Sequence, residues 1–352
     1  MSRPGEPTGP SSGPGRDPFD AESSVWERYM EMARSGQLPP LEAPPPGPPG
    51  RDPDEPGLPF ERVGDYRLLR RLGQGGMGMV YLAEQMSLGR KVALKLLRPE
   101  LAGSAVASKR LTREARALAQ LRHPNIVSVL ELGEDRGVLF MAMDYVPGRS
   151  LAEILEQPGS PVASVVTRVR WGVQLARALA CAHANGVIHR DVKPSNVRIA
   201  EDDRAMLVDF GLAREDEAQA TGLTESFVGS PAYASPEQIR SSKEVDARTD
   251  VYSLGVTLYY ALGGRVPFEG SSMGQVFQQV LDADPPRLRR LDPTLSRDLE
   301  TVVHRAMERD PDRRYATAAE LADDLEAVLG LRPIRGRPPG PVERARRLLR
   351  RH

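Results

Sequence analysis

The chain of 352 residues has little cysteine and no excess charge of either sign, and both shortages exclude classes of protein. Its single cysteine, Cys181, cannot form an intrachain disulfide, which excludes a small disulfide-stabilised secreted fold. That cysteine lies in an apolar helical stretch, and we interpret it as a small core residue. The formal net charge of +0 gives no general attraction to nucleic acid or to an anionic membrane.

Long hydrophobic runs are also missing. A membrane-spanning helix needs about 20 consecutive apolar residues. The most apolar stretch, 251–264, is shorter and contains polar groups. The first twenty residues lack the apolar core of a secretory signal peptide. We therefore expect a cytoplasmic protein with no membrane span and no nucleic-acid partner.

Proline is concentrated at the N-terminus. Residues 1–65 hold almost half of the 32 prolines and are predicted to be a disordered segment with local polyproline II structure. An amphipathic stretch at 24–33 is either a partner-docking helix or a transient turn. At the other end, residues 331–352 are predicted to be a solvated basic tail rich in proline and arginine.

The stretch between these ends predicts an α+β fold. Short β-rich runs separated by glycine turns occupy 66–97, a helical pattern covers 104–122, and two more strands follow at 125–146. After Gly148 the pattern is helical, with a long helix predicted over 161–186 and ended by Gly186. Later helices are predicted at 250–262, 272–282, 296–308 and 317–329. We expect one domain over 66–330, with a small β-rich half, a larger helical half and a site between them.

The first chemical motif is glycine-rich, with Gly73, Gly75 and Gly78 followed by Val80. Glycines allow a hairpin backbone to fold closely over phosphates and to offer N–H groups to them. A dinucleotide site would need a helix after the glycines, whereas a strand is predicted here. A plain tight hairpin is the alternative interpretation of this motif alone.

In the other motifs, charged residues lie beside apolar strands. Lys95, one of only five lysines, lies among aliphatic residues and needs a counter-charge, for which Glu114 on the next predicted helix is the candidate. Asp191 and Asn196 lie five residues apart with Lys193 between them, and Asp209 follows an apolar strand. Two acids and an amide that converge are suited to a hard cation held by phosphate, although each motif alone could be a turn.

Taken together, these motifs resemble those of the eukaryotic-like (Hanks-type) serine/threonine protein kinases, bacterial branch. The motifs that match in family order are GQGGMGMV, VALK, HRDVKPSN, DFG, SPE and DVYSLGV. They extend from about Tyr66 to Leu329, and Lys193, two residues after Asp191, favours the serine/threonine branch. The resemblance implies a bilobal fold with a β-rich N-lobe that has one main helix and an α-helical C-lobe. It also implies ATP as a substrate and Mg²⁺, with Mn²⁺ as an alternative.

The resemblance implies a role for each matching residue. Asp191 would accept the proton of the substrate hydroxyl, Lys193 would steady the γ-phosphate, and Asn196 and Asp209 would hold the metal. Lys95 would bind the α- and β-phosphates and pair with Glu114. The residues assigned to ATP binding are Leu72, Gly73, Gly75, Gly76, Gly78, Val80, Ala93, Lys95, Met143, Asp144 and Val146. Of these, Met143 falls at the position that gates the back of the pocket.

Further residues match structural positions of the family. Asp250 is expected to anchor the catalytic-loop backbone, and Glu237 and Arg314 are expected to form a buried ion pair. An apolar spine across the lobes is assigned to Leu118, Val129, His189 and Phe210. In the activation segment, phosphorylated Thr224, or alternatively Thr221 or Ser226, would pair with Arg190 and order the segment. The alternative is that these are ordinary loop hydroxyls.

The expected function is transfer of the ATP γ-phosphate to serine or threonine of proteins, including autophosphorylation, in bacterial signalling. The alternative from another class is a pseudokinase scaffold that binds partners or nucleotide without transfer. Such scaffolds usually lack the lysine or one of the acids that are present here. A small-molecule kinase is disfavoured by the intact stretch from Asp209 to Glu237. Residues 1–65 remain a candidate docking segment for a partner.

Overall fold

The computed structural model describes residues 61–75, 78–97, 117–136, 138–157, 163–210, 231–240 and 245–335. Several predicted features lie outside these residues: the proline-rich segment up to residue 60, most of the helix at 104–122, the activation-segment hydroxyls and the basic tail beyond 335. Gly76 and Glu114 also lie outside them.

The N-terminal half is an antiparallel sheet in the order β1-β2-β3-β4-β6-β5. Its strands are β1 (Arg62–Val63), β2 (Tyr66–Gly75), β3 (Gly78–Gln85), β4 (Arg90–Leu97), β5 (Val129–Asp135) and β6 (Val138–Asp144). Successive side chains of a strand point to opposite faces. In β4, Val92, Leu94 and Leu96 are therefore on one face, where they pack in a separate small core with Tyr66 and Phe140. Lys95 is on the other face, toward the C-terminal half.

The C-terminal half is mainly helical. Its helices are α1 (Leu151–Glu156), α2 (Val165–Ala184), α3 (Pro236–Arg240), α4 (Arg248–Gly263), α5 (Met273–Asp282), α6 (Arg297–Ala306) and α7 (Ala318–Leu329). The predicted long helix is α2, which begins after the Ser164 cap and is followed by Gly186 at φ +73°. Helix α4 is buried on almost every side, and most of its residues from Val251 to Leu262 are apolar. Cys181 is partly exposed on α2, whereas we expected it to be buried.

A second sheet lies within the C-terminal half, and of its three strands only the apolar strand before Asp209 was predicted. It consists of β7 (Gly148–Ser150), β8 (Val197–Ala200) and β9 (Ala205–Leu207), in that order. The β8–β9 hairpin pairs Val197 with Leu207. Asn196 directly precedes β8 and Asp209 comes soon after β9, so the hairpin brings these two residues to the same end of the sheet.

The chain stays attached to the helical half beyond α7. Asp324 is buried and accepts hydrogen bonds from the Tyr315 hydroxyl and from the Arg335 backbone N–H, both at 2.8 Å. Ile334 also packs against the main core. Within the described residues, no helix is both long and apolar enough to cross a membrane.

The predicted ion pair between Glu237 and Arg314 is present. The guanidinium donates from both terminal nitrogens to the carboxylate, at 2.6 and 2.7 Å. The Arg314 side chain is fully buried, and its remaining donors bond to the backbone carbonyls of Glu308, Arg248 and Arg309. Glu237 therefore neutralises a charge that water cannot reach.

We predict that Glu237→Ala destabilises the fold by about 3–5 kcal/mol, because it leaves the Arg314 charge buried without its partner. Denaturant unfolding followed by circular dichroism measures this loss. The matched control is Arg313→Ala, which removes an exposed pair with Asp310 at 3.4 Å and should cost less than about 1 kcal/mol. Equal effects of the two substitutions would contradict the prediction.

Candidate active site

An ion pair joins the two halves of the protein across the cleft. The Lys95 Nζ lies 2.7 Å from Asp209 Oδ1, and the lysine side chain is only 8% exposed. Lys95 reaches the cleft because the alternation of β4 turns it away from the small core formed by Val92, Leu94 and Leu96. Its predicted partner Glu114 lies outside the described residues, so that pairing stays a prediction.

Asp209 is held in an unusual backbone conformation. Its φ is +55°, in the left-handed region that residues other than glycine seldom adopt. Such a conformation costs on the order of 1–3 kcal/mol and persists where the surrounding structure imposes it. The preceding Val208 N–H donates to the Asn196 carbonyl at 3.0 Å, which fixes the approach of the chain to Asp209.

The segment 189–196 gathers three of the predicted residues. Lys193 Nζ lies 2.9 Å from Asp191 Oδ2. Asn196 Nδ2 donates to the Asp191 backbone carbonyl at 2.9 Å and to Asp191 Oδ2 at 3.0 Å. Because the amide nitrogen makes both bonds, the Asn196 Oδ1 atom is the one left to bind a cation.

The buried carboxylate of Asp250 anchors the backbone of this segment, as predicted. Asp250 is fully buried in α4 and accepts the backbone N–H groups of His189 and Arg190, both at 2.8 Å. His183 Nε2 is a further partner at 2.7 Å. The sequence analysis missed His183, which lies in the last turn of α2 with no local signal linking it to Asp250. Arg190, like Asp209, has a positive φ of +62°.

His189 has a polar role in addition to the apolar role that we predicted. Burial lowers its pKa, so the ring is neutral near pH 7. Its Nε2 lies 3.1 Å from the Val208 carbonyl and therefore carries the proton, while Nδ1 accepts the Asp191 backbone N–H at 3.3 Å. The ring also packs against Phe210 with centroids 4.4 Å apart. The other residues assigned to the apolar spine are also buried, as expected: Leu118, Val129 and Phe210.

Comparison with known families identifies the domain that contains these residues. The family model described as "Protein kinase domain" matches residues 66–325. The chain belongs to the protein kinase family.

Named relatives and a solved structure agree with this result. The kinase is 43% identical to serine/threonine-protein kinase pkn2 of Myxococcus xanthus over 273 residues, 75% of this chain and 32% of the relative. It is 40% identical to serine/threonine-protein kinase PknB of Mycobacterium tuberculosis over 280 residues, 78% of this chain and 44% of that protein. The M. tuberculosis PknI kinase domain is 32% identical with a TM-score of 0.62, covering 76% of this chain and 97% of that domain. The predicted resemblance and the bilobal fold are confirmed.

The chain spans less than half the length of the curated relatives just named. The shared part includes both lobes and every described element of the cleft. The comparisons therefore identify the domain and its fold.

The inner face of the N-lobe sheet carries the residues predicted to surround adenine. Val80 pairs with Lys95, while Ala93 pairs with Met143, so these side chains share one face. Met143 is buried, whereas Leu72, Val80, Ala93 and Val146 are half-buried toward the cleft. The Asp144 N–H donates to the Ser128 carbonyl at 3.0 Å, so the contact predicted for Asp144 is limited to its carbonyl oxygen.

Two glycines of the β2–β3 hairpin have different surroundings. Gly78 has φ +147°, and a Cβ there would lie 1.9 Å from the Leu96 carbonyl oxygen. Packing against β4 therefore excludes any other residue. Gly73 pairs with Val80, and a Cβ there would meet no atom within 4 Å. Packing within the fold therefore does not explain glycine at position 73, and the predicted close approach of a nucleotide there stays a prediction.

We predict that Gly78→Ala destabilises the kinase, because its Cβ would collide with the Leu96 backbone. Gly73→Ala should keep the wild-type melting temperature and raise KM for ATP several-fold, because it adds volume only on the open side of the hairpin. Thermal unfolding and steady-state kinetics separate the two effects. A folded, fully active Gly78→Ala protein would contradict the packing argument, and an unchanged KM for Gly73→Ala would contradict the ligand argument.

Proposed function

We propose that the chain is an ATP-dependent serine/threonine protein kinase that acts in bacterial cytoplasmic signalling and phosphorylates itself as well as other proteins. The proposal rests on two groups of charged and polar side chains that are both present in the cleft: Lys95 with Asp209, and Asp191 with Lys193 and Asn196. The names of the bacterial relatives support the same activity and the same acceptor class. A pseudokinase would be expected to lack at least one of these groups.

The donor chemistry of the cleft fits a magnesium ion that is shared with phosphate. Among the described residues, no three His, Cys, Asp or Glu side chains lie close enough together to form a complete metal site. Mg²⁺ bound with a nucleotide needs only one or two carboxylates, since phosphate and water complete its octahedron. Asp209 and the Asn196 amide oxygen are the residues that would hold it, and Mn²⁺ has the same ligand preference.

The chain's own groups perform positioning and charge neutralisation. The Asp191 carboxylate orients the acceptor hydroxyl and accepts its proton, while Asn196 fixes the orientation of that carboxylate. Lys193 supplies positive charge to the γ-phosphate that is transferred, and Lys95 supplies it to the α- and β-phosphates. Bound Mg²⁺ would neutralise the charge that develops on the phosphate oxygens. The glycine-rich hairpin and the half-buried side chains of the sheet hold the nucleotide in line with Asp191.

We predict that purified protein incubated with ATP and Mg²⁺ gains phosphate on serine or threonine, and that Asp209→Asn abolishes this gain. The substitution removes the carboxylate that would hold the metal and is nearly isosteric. Radiolabel incorporation and mass spectrometry measure the result. The control is Asp202→Asn, an exposed acid that pairs with the exposed Arg204 and should leave incorporation unchanged. Undiminished incorporation by Asp209→Asn would overturn the role of Asp209.

For the activation segment, we predict that Thr224→Ala slows phosphorylation of an added protein substrate, because it removes the phosphate that would pair with Arg190. Thr221→Ala and Ser226→Ala are the matched controls and should have smaller effects. Phosphopeptide mapping of the wild-type protein identifies the modified hydroxyl. Full activity of wild-type protein that carries no phosphate on Thr224 would remove the proposed switch.

A further inference from the structure

The catalytic loop is held at a further point besides its contacts with Asp250. Gln238 of α3 donates from its side-chain Nε2 to the backbone carbonyl of Arg190 at 3.0 Å, and the two residues are 48 positions apart in the sequence. Helix α3 follows the turn Pro231–Tyr233, where the described chain resumes. Gln238 therefore joins that part of the chain directly to the loop that carries Asp191.

The partners of the Gln238 amide allow only one orientation of it. The backbone N–H of Ser235 donates to Gln238 Oε1 at 3.0 Å, while the Arg190 carbonyl accepts from Nε2. Turning the amide over would place a donor against the Ser235 N–H and an acceptor against the Arg190 carbonyl, so both bonds would be lost. The residue that directly precedes α3 thus directs the Gln238 nitrogen at the catalytic loop.

The oxygen side of this amide is anchored in the buried part of the C-lobe. Ser235 is fully buried, and its hydroxyl lies 2.7 Å from the hydroxyl of Thr249 in α4, which is also fully buried. The Ser235 hydroxyl contacts Gln238 Oε1 as well, at 3.3 Å. Thr249 directly precedes Asp250, which accepts the Arg190 N–H. Helix α4 therefore supports both ends of the same loop residue, its N–H directly and its carbonyl through the Ser235–Gln238 contact.

The group that Gln238 holds belongs to the peptide unit between Arg190 and Asp191. The carbonyl of this unit accepts from Gln238, and its N–H donates to His189 Nδ1 at 3.3 Å. Because a peptide unit is planar, fixing both of its polar groups fixes the rotation of the whole unit, which includes the Asp191 Cα. The positive φ of Arg190, +62°, is a conformation that the surroundings must impose. These hydrogen bonds therefore set the direction in which the Asp191 side chain leaves the backbone.

Helix α3 is itself held in place on the C-lobe. Glu237, the residue before Gln238, accepts two hydrogen bonds from the buried Arg314 at 2.6 and 2.7 Å. The Ile239 N–H donates to the Ser235 carbonyl at 3.2 Å. A side chain on an element that is held in this way can fix the position of the loop that it contacts.

We propose that Gln238 is a positioning residue of the transfer reaction, which holds the Arg190–Asp191 peptide unit so that the Asp191 carboxylate faces the acceptor hydroxyl. The inference rests on the proposed kinase activity and adds to it a residue that handles neither nucleotide nor metal. A displacement of about 1 Å in a reacting group can cost on the order of 100-fold in rate. Loss of the contact should therefore lower kcat without weakening the binding of ATP.

The test replaces the amide by a side chain of similar length that forms no such hydrogen bonds. We expect Gln238→Met to lower kcat for a serine peptide by roughly 10–100-fold and to leave KM for ATP unchanged. The matched control is Gln279→Met in α5, which removes a bond of the same kind, from Gln279 Nε2 to the Glu269 carbonyl at 2.6 Å. This control should keep the wild-type kcat. Thermal unfolding of both variants checks that they are folded and equally stable.

A double-mutant cycle with Asp191→Asn separates positioning from a general effect on the fold. If Gln238 acts through the Asp191 carboxylate, Gln238→Met should lower the residual activity of Asp191→Asn far less than it lowers the activity of the wild type. Single-turnover transfer of radiolabelled phosphate measures this residual activity.

The outcomes separate this inference from the proposed function. If Gln238→Met keeps the wild-type kcat, or loses the same factor with and without the Asp191 carboxylate, the positioning role is excluded while the kinase activity stands. Full activity of Asp191→Asn would exclude it as well. If wild-type protein phosphorylates neither the peptide nor itself, the proposed function is excluded and this inference with it.

Discussion

The arrangement of this cleft depends on one buried carboxylate, that of Asp250. A carboxylate buried inside the protein is tolerated only when hydrogen bonds replace its lost water. Here the replacement comes from two backbone N–H groups of the catalytic loop and from His183. The requirement acts in both directions: the loop satisfies Asp250, and Asp250 holds the loop in a conformation in which Arg190 adopts a positive φ. The residues that follow Arg190 in this loop include Asp191, Lys193 and Asn196.

The second constraint is the contact between the two lobes across the cleft. The cleft is lined by the N-lobe sheet on one side and by the catalytic loop and the β8–β9 hairpin on the other, and the Lys95–Asp209 ion pair joins them. Asp191 of the catalytic loop is paired with Lys193, and Asp209, which follows the hairpin, is paired with Lys95. In the proposed function, phosphate would bind these lysines and the Asp209 carboxylate would hold the metal.

The sequence by itself determined the family and the order of the main N-lobe strands, because motif spacing and side-chain periodicity are local properties. It also placed the later helices of the C-lobe to within two residues and the end of α2 beside Gly186, whereas α2 begins at Val165, four residues after the predicted start. Only the tertiary structure revealed the His183–Asp250 bond, the hydrogen bonds of His189 and the packing that demands glycine at position 78. These contacts join residues that are distant in the sequence, for example by 67 positions for His183 and Asp250, and no local pattern encodes which distant groups will meet.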